Sequence, residues 1–478
     1  MSYYIGIDLG TSAVKIIMIN ENAEILKTVT KEYPLSFPKP NWSEQNPDDW
    51  WNAVSEGLEE ILSGIDKSEV KGIGTGGQMH GLVMLDENGF VLRPAILWND
   101  TRTGEETAYL NSVIGKERLQ ELTGNISFAG FTAPKILWVQ KNEPEIFEKC
   151  AKICLPKDYI NYKLTSAFAT DVSDASGTLY FDVENRKWSK EMLEILGIDE
   201  SCLPVVCESK DVIGKTNLFG LDCNVAAGAG DNAAAAIGTG TVKEGQCNIS
   251  LGTSGTVFVP TEGYVKTENP ALHSFCHANG KYHLMGCILS AASCNKWLNE
   301  VVFNSDYNVG LGDLQTDLYF MPYMSGERCP HNDGDVKGAF IGLTHSTTRE
   351  ALQRAVFEGV AFAIRDCIEL CPDEIKKATV CGGGTKSREW MQVLSDVLGI
   401  ELDVIENEGP AMGAALLAAG SGVYDVPLRI KYTVEPDKSS AEIYNNKYGK
   451  FKLLYPLLKP FYCRSLEGNV AAKPTDEV

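Results

Sequence analysis

The sequence predicts an α/β protein built from two similar halves that face each other across a cleft. The segment Ile7–Ser12, which reads Ile-Asp-Leu-Gly-Thr-Ser, recurs at Ile249–Ser254 as Ile-Ser-Leu-Gly-Thr-Ser. A second pair follows in the same order, because Lys71–Gly77 and Ala378–Gly384 are both short apolar runs that end in glycines. Strand-like runs alternate with helical patterns between these landmarks, as in α/β folds. We therefore predict an internal duplication with the active site between the two halves.

The amino-acid composition is that of an ordinary globular protein, and the chain is long enough to form more than one hydrophobic core. Its 478 residues are 44% hydrophobic and 22% charged, and the formal net charge is −21. This charge repels polyanions, so we expect neither nucleic acid nor an anionic membrane as a partner. We predict an N-terminal domain over residues 1–243, a C-terminal domain over 244–448, and a partly disordered extension over 449–478.

The N-terminus and the cysteines indicate a cytoplasmic protein. No basic segment precedes an apolar run at the start, and no apolar run is long enough to cross a bilayer. The 14 cysteines have no framework spacing, which favours reduced thiols. We therefore expect no secretory signal, no membrane span and a cytoplasmic location.

Helical periodicity supports the α/β prediction in both halves. Residues 48–61 place Trp51, Val54 and Leu58 on one face of a predicted helix. A longer helix is predicted over residues 347–370, where Thr347 and Glu350 have capping-box spacing. The segment around residues 217–248 is expected to carry the chain from one half to the other.

The repeated Gly-Thr-Ser segments predict a phosphate site. Each is followed by a β-prone run, which is typical of a hairpin, and such a turn presents consecutive backbone N–H groups and two hydroxyls to an anion. An ordinary hairpin turn is the alternative for a single copy, whereas two copies would hold a polyphosphate from two sides. The candidate phosphate-binding residues are Gly10, Thr11, Ser12, Lys15, Gly252 and Thr253.

Two aspartates stand out as candidate catalytic residues. Asp8 lies in the first repeat where the second has Ser250, and one carboxylate beside phosphates can hold Mg²⁺ through water. Asp231 follows a strand-like run and two glycines at the start of an alanine-rich helix. A carboxylate at such an opening predicts a general base that accepts a proton from a substrate hydroxyl. A helix N-cap is the alternative interpretation of Asp231.

Three further glycine-containing segments follow nucleotide-binding patterns, and one of them indicates a nucleotide pocket. The other two do not meet the requirements of the motifs that they resemble. Gly382–Ser387 lies between a strand and a helix, and its three glycines would let the backbone approach an adenine ring, although a tight turn would need them too. Gly72–Gly77 satisfies the dinucleotide-binding pattern, but its glycines lie inside the predicted strand. Gly214–Thr216 lacks the leading glycine of a P-loop, since position 209 is serine. His80 follows a predicted strand and is surrounded by glycines. Two interpretations are open for it, a residue that lines a site or a residue with a structural role.

Taken together, these residues resemble the FGGY carbohydrate kinases of the actin-like ATPase superfamily. The two hairpins, Gly228–Ala233 and Gly382–Ser387 carry the resemblance, and the spacing from Gly130 to Val139 is similar to the first family signature. Residues 338–359 are similar to the second signature. The resemblance implies two ribonuclease-H-like domains with Mg-ATP between them. It also implies that the N-terminal domain binds a sugar and supplies the base, and that the C-terminal domain binds the nucleotide.

Five further segments are similar to family members that phosphorylate D-xylulose on its 5-hydroxyl. They are Gln78–Gly81, Ile96–Arg102, Leu155–Tyr159, Ser173–Gly177 and Gly326–Arg328. By this resemblance Asp231 is the base, and Asp8 and Asp231 are the catalytic residues and metal ligands. The implied sugar contacts are Gln78, Met79, His80, Trp98, Asp100, Asp231 and Asn232, and the implied adenosine contacts are Gly383, Gly384 and Lys386. A homodimer is a further expectation from the family.

Three alternatives stay open at this point. The acceptor would be another ketopentose or a polyol, because related pockets take different sugars. An actin-like ATP switch would share the hairpins and the glycine turn, but sugar would not stimulate its ATPase. A sugar-sensing protein without catalysis is the third, and it would not need both Asp8 and Asp231.

Overall fold

Two seven-stranded sheets, one in each half of the chain, form the framework of the protein. The computed structural model describes residues 2–305, 308–406, 409–420 and 429–462. The first sheet consists of β1 (Tyr3–Leu9), β2 (Ala13–Asn20), β3 (Ile25–Glu32), β4 (Val70–Gly77), β5 (Val212–Thr216), β6 (Cys223–Ala226) and β7 (Ala229–Gly230). The second consists of β8 (Asn248–Leu251), β9 (Gly255–Thr261), β10 (His273–Cys276), β11 (Tyr282–Ile288), β12 (Lys377–Cys381), β13 (Glu401–Ile405) and β14 (Ile430–Val434).

Helices and short two-stranded pairs surround these sheets. The helices are α1 (Pro47–Ile61), α2 (Gly104–Tyr109), α3 (Lys116–Thr123), α4 (Thr132–Asn142), α5 (Pro144–Glu148), α6 (Pro156–Thr165), α7 (Val172–Ala175), α8 (Lys190–Leu196), α9 (Asp231–Gly238), α10 (Ala292–Trp297), α11 (Arg349–Glu369), α12 (Arg388–Leu398), α13 (Pro410–Ala419) and α14 (Ala441–Tyr462). The short pairs join Glu44–Gln45 to Ala95–Ile96, Val83–Leu85 to Lys152–Cys154, Ala169–Asp171 to Val205–Cys207, Phe181–Asp182 to Lys187–Trp188, and Tyr319–Met321 to Ala339–Ile341. No helix among the described residues is long and apolar enough to cross a bilayer.

The central strands of the two sheets have the same order and the same relative directions. In the first sheet β3, β2 and β1 are antiparallel neighbours, and β4 and β6 continue in parallel. In the second sheet β11, β9 and β8 are antiparallel neighbours, and β12 and β13 continue in parallel. The predicted internal duplication is therefore confirmed.

Both repeated segments form the predicted hairpin turns. Residues 10–12 join β1 to β2, and residues 252–254 join β8 to β9. The other repeated pair, Lys71–Gly77 and Ala378–Gly384, contributes to strands β4 and β12. These strands lie directly beside β1 and β8. The glycines of residues 72–77 thus lie inside β4, which agrees with the exclusion of a dinucleotide motif.

The predicted helices are present, with one error at a cap. Helix α1 buries Trp50, Val54 and Leu58, whereas Trp51 is only partly buried. Helix α11 is capped by Thr348, whose hydroxyl accepts a hydrogen bond from the backbone N–H of Ala351 at 3.3 Å. The prediction of a Thr347 cap was wrong because the Thr347 hydroxyl instead accepts the N–H of Thr344.

The chain crosses between the halves later than its sequence pattern suggested. Residues 217–238 still belong to the first half, since they contain β6, β7 and α9. Helix α13 then returns to the first half and packs on β1 and β4. A Cβ atom on Gly74 would lie 2.0 Å from the carbonyl oxygen of Ala414, so only glycine allows this approach of helix to sheet.

Strand β10 provides a second connection between the halves. The side-chain amide of Asn125 donates to the carbonyl oxygen of Ser274 at 2.9 Å and accepts its N–H at 3.3 Å. The N–H of Cys276 donates to the Ser176 hydroxyl at 3.0 Å. Phe275 is buried in the same apolar cluster as Met79 and Phe131. These contacts fix one wall of the cleft.

Helix α14 packs against the second half. Its residues Tyr444, Tyr448 and Phe451 are buried in the core of that half. The predicted domain boundary after residue 448 falls inside this helix, so residues 449–462 continue it. The predicted disorder concerns residues 463–478, which lie outside the described residues.

Candidate active site

Five of the predicted nucleotide residues, all from the second half, line one cavity of about 800 Å³, whereas Gly10, Thr11, Ser12 and Lys15 lie in the first half. Gly252 and Thr253 come from the hairpin turn, and Gly383, Gly384 and Lys386 come from the turn between β12 and α12. The structure therefore brings together the two segments that the sequence singled out. Their backbone N–H groups and the exposed Lys386 suit a polyphosphate and its nucleoside.

Helix α10 forms a wall of the same cavity and was missed by sequence reasoning. Ser293, Asn295 and Lys296 line the space beside the hairpin turn. The hydroxyl of Ser293 donates to the carbonyl oxygen of Thr253 at 2.7 Å. The N–H of Ala292 donates to the carbonyl oxygen of Gly252 at 2.8 Å. Helix α10 thereby fixes the turn. The sequence carried no signal for this role, because α10 is short and matches no motif.

The first hairpin turn is held by side chains of the first half. The Thr11 hydroxyl accepts a hydrogen bond from the indole N–H of Trp98 at 3.0 Å and donates to Gln78 Oε1 at 3.4 Å. Ser12 is exposed at the tip of the turn, and Gly10 is half-buried. The Thr11 hydroxyl is thus engaged by protein, so a phosphate contact of this turn would use backbone N–H groups and Ser12.

Gln78 lies beneath this turn instead of facing the cleft. It is 2% exposed, and its Nε2 donates to Gln45 Oε1 at 3.1 Å. The Gln45 side chain in turn donates to the Thr11 carbonyl oxygen at 2.7 Å. Both ends of the Gln78 amide are hydrogen-bonded within the protein and support the turn, and its predicted sugar contact stays a prediction.

Asp100 is also a supporting residue. Its side chain is completely buried, and its carboxylate accepts the N–H of Ser43 at 2.6 Å and two donors from the Arg102 guanidinium. The Asp100 side chain is fully buried in this structure, and its predicted sugar contact stays a prediction. Asp100 anchors the loop that carries Trp98.

Asp8 and Asp231 lie within electrostatic reach of each other. Asp8 is the penultimate residue of β1, and Asp231 begins α9. Burial, followed by the negative charge of Asp231, raises the pKa of Asp8 to about 7, and Lys15 opposes this shift. Lys15 lies opposite Asp8 in the β1–β2 register. The two carboxylates are therefore close enough to repel each other.

Asp231 is the first helical residue and not the N-cap, which is Gly230. Its Oδ1 accepts the backbone N–H and the side-chain amide of Asn232 at 2.7 and 2.9 Å. Within the described residues its Oδ2 accepts no hydrogen bond. Burial raises the pKa of Asp231 to about 6 despite the N–H of Asn232. A carboxylate with one open oxygen and this pKa has the properties of a general base at neutral pH.

Met79 and His80 lie beside Asp231 in the loop after β4. Met79 Sδ is 4.0 Å from Asn232 Nδ2. His80 has a φ of 68°, which is uncommon for a non-glycine residue and is typical of functional loops. Its Nδ1 lies 2.8 Å from the Gly177 carbonyl oxygen, and its ring stacks on Phe131 at 4.6 Å. Burial lowers the pKa of His80 to about 3, so the ring is neutral and donates through Nδ1.

A buried ionic cluster lies behind Asp231. The N–H of Gly230 donates to the Ser173 hydroxyl at 3.1 Å, which donates to Asp171 at 2.5 Å. Lys157 Nζ lies 3.0 Å from Asp171 and 2.6 Å from Asp158. The Lys157 side chain is completely buried, and the side chains of Asp158 and Asp171 are at most 1% exposed. This cluster fixes the backbone on which Asp231 stands.

The donor set at the base of the cleft fits Mg²⁺. Asp8 and Asp231 offer carboxylate oxygens, and Mg²⁺ in phosphate-transferring sites takes one or two carboxylates together with phosphate oxygens and water. Among the described residues, no group of three or more His, Cys, Asp or Glu forms a complete protein cage. A magnesium ion here would therefore depend on the nucleotide for part of its ligands.

Comparison with known sequences decides the family. Residues 3–238 match the N-terminal domain of the FGGY family of carbohydrate kinases, and residues 247–421 match its C-terminal domain. The chain belongs to the FGGY family of carbohydrate kinases. Membership of this sugar kinase family implies ATP as a substrate.

Curated relatives of this FGGY kinase match it over nearly the full length. The xylulose kinase of Escherichia coli (strain K12) is 40% identical over 96% of this chain and 99% of its own. The xylulose kinase of Bacillus subtilis (strain 168) is 36% identical over 99% of both chains.

Solved structures show the same two-domain architecture. A xyloylose kinase from Brucella ovis is 38% identical and superposes with a TM-score of 0.91 over 96% of this FGGY kinase and 100% of its own chain. A glycerol kinase from Plasmodium falciparum with ADP has a TM-score of 0.85 at 23% identity, over 98% of this chain and 99% of its own, and shows the fold alone. The expected actin-like, ribonuclease-H-like fold of both halves is confirmed.

Proposed function

We propose that this FGGY kinase transfers the γ-phosphoryl group of ATP to the 5-hydroxyl of D-xylulose. The observation that carries the proposal is the open carboxylate oxygen of Asp231, which follows the Met79-contacting Gly230 and lies within electrostatic reach of Asp8 at the end of β1. The xylulose kinases at 35–40% identity support the choice of sugar.

Asp231 acts as the general base. Its Oδ2 accepts the proton of the sugar hydroxyl as the hydroxyl oxygen forms a bond to the γ-phosphorus and the bond to the ADP oxygen breaks. Asn232 holds Oδ1, so the free oxygen keeps one direction. Met79, His80 and Trp98 line the sugar side, while Asn232 also stands beside Met79. Holding the hydroxyl in line with the phosphoryl group supplies much of the rate.

The nucleotide is bound mainly by the second half. The turns at Gly252–Thr253 and Gly383–Lys386 contact the phosphates and the adenosine, and helix α10 closes the cavity beside them. The N-terminal domain over residues 1–243 binds the sugar, and the C-terminal domain over residues 244–448 binds the nucleotide. Asp8 and Asp231 would hold Mg²⁺, which supplies neutralising charge to the phosphates when it is bound. A homodimer and a cytoplasmic location are further predictions from the sequence.

An assay of ADP release with several acceptors tests the function. D-xylulose, D-ribulose, L-ribulose, L-xylulose, glycerol, gluconate and xylitol are compared by kcat/KM, and we expect D-xylulose to rank first. A tenfold preference for a different acceptor would overturn the sugar assignment and leave the kinase. Failure of every sugar to stimulate ADP release would favour an ATP-switch protein.

A further inference from the structure

A second cavity opens between the two halves on the sugar side of the cleft. Its volume is about 380 Å³, and it is lined by Trp98 and Phe128 from the first half and by Leu289, Glu327 and Arg328 from the second. No residue is shared between its lining and that of the nucleotide cavity. Trp98 belongs to the proposed sugar site, so this cavity extends that site toward the C-terminal domain.

Arg328 is the unusual residue of this cavity. Its side chain is half-buried, and within the described residues its guanidinium makes no hydrogen bond and no ion pair. Among residues 2–462 as the structure describes them, every other buried or half-buried arginine has a carboxylate partner; these are Arg93, Arg102, Arg186, Arg354 and Arg365. Because partial burial of an unpaired guanidinium costs free energy, its five N–H donors point to a ligand in the cavity.

Neighbouring residues hold Arg328 in place without neutralising it. Glu327 Oε1 accepts the backbone N–H of Arg328 at 2.8 Å and that of Leu289 at 3.1 Å. Burial raises the pKa of Glu327 to about 8, so its carboxyl is mainly protonated at neutral pH. The Arg328 Cζ lies 5.4 Å from the centroid of the Phe128 ring. The guanidinium therefore rests on an aromatic face with its donors unoccupied.

The position of Arg328 relates it to the sugar and not to the nucleotide. The ring of Phe128 lies 5.2 Å from that of Phe131, on which His80 stacks. After burial and the charge of Lys135, the charge of Arg328 also contributes to the lowered pKa of His80. Arg328 is thus within electrostatic reach of a proposed sugar contact.

We propose that Arg328 binds the acceptor at the end remote from the phosphorylated hydroxyl. The guanidinium donates to the C1 hydroxyl and the C2 carbonyl oxygen of a 2-ketose, two adjacent oxygens that match its planar pair of N–H groups. This inference rests on the proposed function, since it takes the acceptor to be D-xylulose. It also makes sugar recognition a task of both halves.

Two substitutions and one deoxygenated sugar test this contact. Arg328→Met keeps the apolar stem over Phe128 and removes the donors, while Arg328→Lys keeps the charge and loses the planar fork. Arg349→Met is the matched control, because the Arg349 Cζ lies 5.5 Å from the Phe303 ring outside both cavities. Each variant is assayed with D-xylulose and with 1-deoxy-D-xylulose, which lacks the C1 hydroxyl, and its thermal unfolding is measured.

We expect Arg328→Met to raise KM for D-xylulose at least tenfold while KM for ATP stays within twofold. The wild-type protein should prefer D-xylulose to the deoxy sugar, and Arg328→Met should lose that preference, with Arg328→Lys intermediate. Unchanged KM and unchanged preference in a folded variant would overturn the contact while the proposed function stands. A wild-type protein that neither binds D-xylulose by calorimetry nor phosphorylates it would overturn both.

Discussion

The indole N–H of Trp98 donates to the hydroxyl of Thr11 at 3.0 Å, which joins the sugar-side loop to the first phosphate turn. Asp100 anchors the Trp98 loop from below, and Gln78 and Gln45 hold the turn. The segments proposed to bind the two substrates are therefore hydrogen-bonded to each other. A substitution in one segment should therefore also alter the binding of the substrate at the other segment.

Thr11→Val should weaken sugar use more than nucleotide use. Valine keeps the shape but leaves the half-buried indole N–H of Trp98 without its acceptor, which costs about 1–3 kcal/mol. We expect kcat/KM for D-xylulose to fall about five- to hundredfold, with KM for ATP changed less than threefold. A steady-state analysis with each substrate varied in turn checks this, and a selective loss of ATP affinity would contradict it.

Thr253 occupies in the second turn the position that Thr11 occupies in the first. Thr253→Val should weaken nucleotide use more than sugar use. Thr253 is exposed in the nucleotide cavity, so its hydroxyl is available to a phosphate oxygen. Loss of a hydrogen bond to a charged group costs about 1.5–3 kcal/mol, so KM for ATP should rise roughly 10- to 100-fold. KM for D-xylulose should hardly change. Equal effects of the two threonine substitutions would argue against separate roles for the two turns.

Asp231→Asn should abolish most turnover while ATP binding persists. Asparagine keeps the shape but cannot accept the hydroxyl proton, and loss of a general base typically lowers the rate by about 10²–10⁴. Turnover is measured by ADP release, and ATP binding by calorimetry. Asp222→Asn is the control, because Asp222 is 82% exposed and lies outside the cleft. Turnover near the wild-type rate in a folded Asp231→Asn variant would remove Asp231 from the base role.

The raised pKa values of the two aspartates predict opposite effects of pH on activity and stability. Asp231 must be ionised to act as a base, so kcat/KM should fall as pH decreases through about 6. Protonation of both carboxylates favours the folded state, because their folded pKa values of about 6 and 7 exceed the unfolded value near 3.9. That contribution is lost as pH rises through 6 to 7.

Measurements of Tm separate this effect from catalysis. Asp231→Asn should raise Tm at pH 8 relative to wild type and should leave it nearly unchanged at pH 4, where the native carboxyl is already neutral. Asp222→Asn again serves as the control. A variant whose Tm gain is the same at both pH values would show that ionisation of Asp231 is not the cause.

Lys157→Met should destabilise the first half strongly. The substitution leaves the buried carboxylates of Asp158 and Asp171 without their cation, and removal of one partner from a buried ion pair costs about 3–5 kcal/mol. Urea unfolding measures the change, with the exposed Lys190 as the site of a matched Lys→Met control. A loss below 1 kcal/mol would indicate that the carboxyls are neutral in the folded protein.

Sequence reasoning worked where a feature is local and repeated. The two Gly-Thr-Ser turns, the strands beside them and the start of α9 at Asp231 all lie where the pattern placed them, because turn chemistry and strand periodicity act within a few residues. The supporting positions of Gln78 and Asp100 could not be predicted, since a polar residue that supports a loop from below has the same local sequence as one that faces a ligand. Arg328 and helix α10 were not recognised as parts of a site, because only the folded arrangement brings them to a cavity.

Helix α13 determines when the first half can finish folding. This helix covers β1 and β4, yet it lies near residue 415 and is synthesised after most of the second half. As the chain leaves the ribosome, the glycine-lined face of the first sheet stays uncovered until residues 410–419 arrive. A fragment that ends at residue 243 therefore lacks its own cover, and the gene cannot be divided at the duplication into two parts that fold independently.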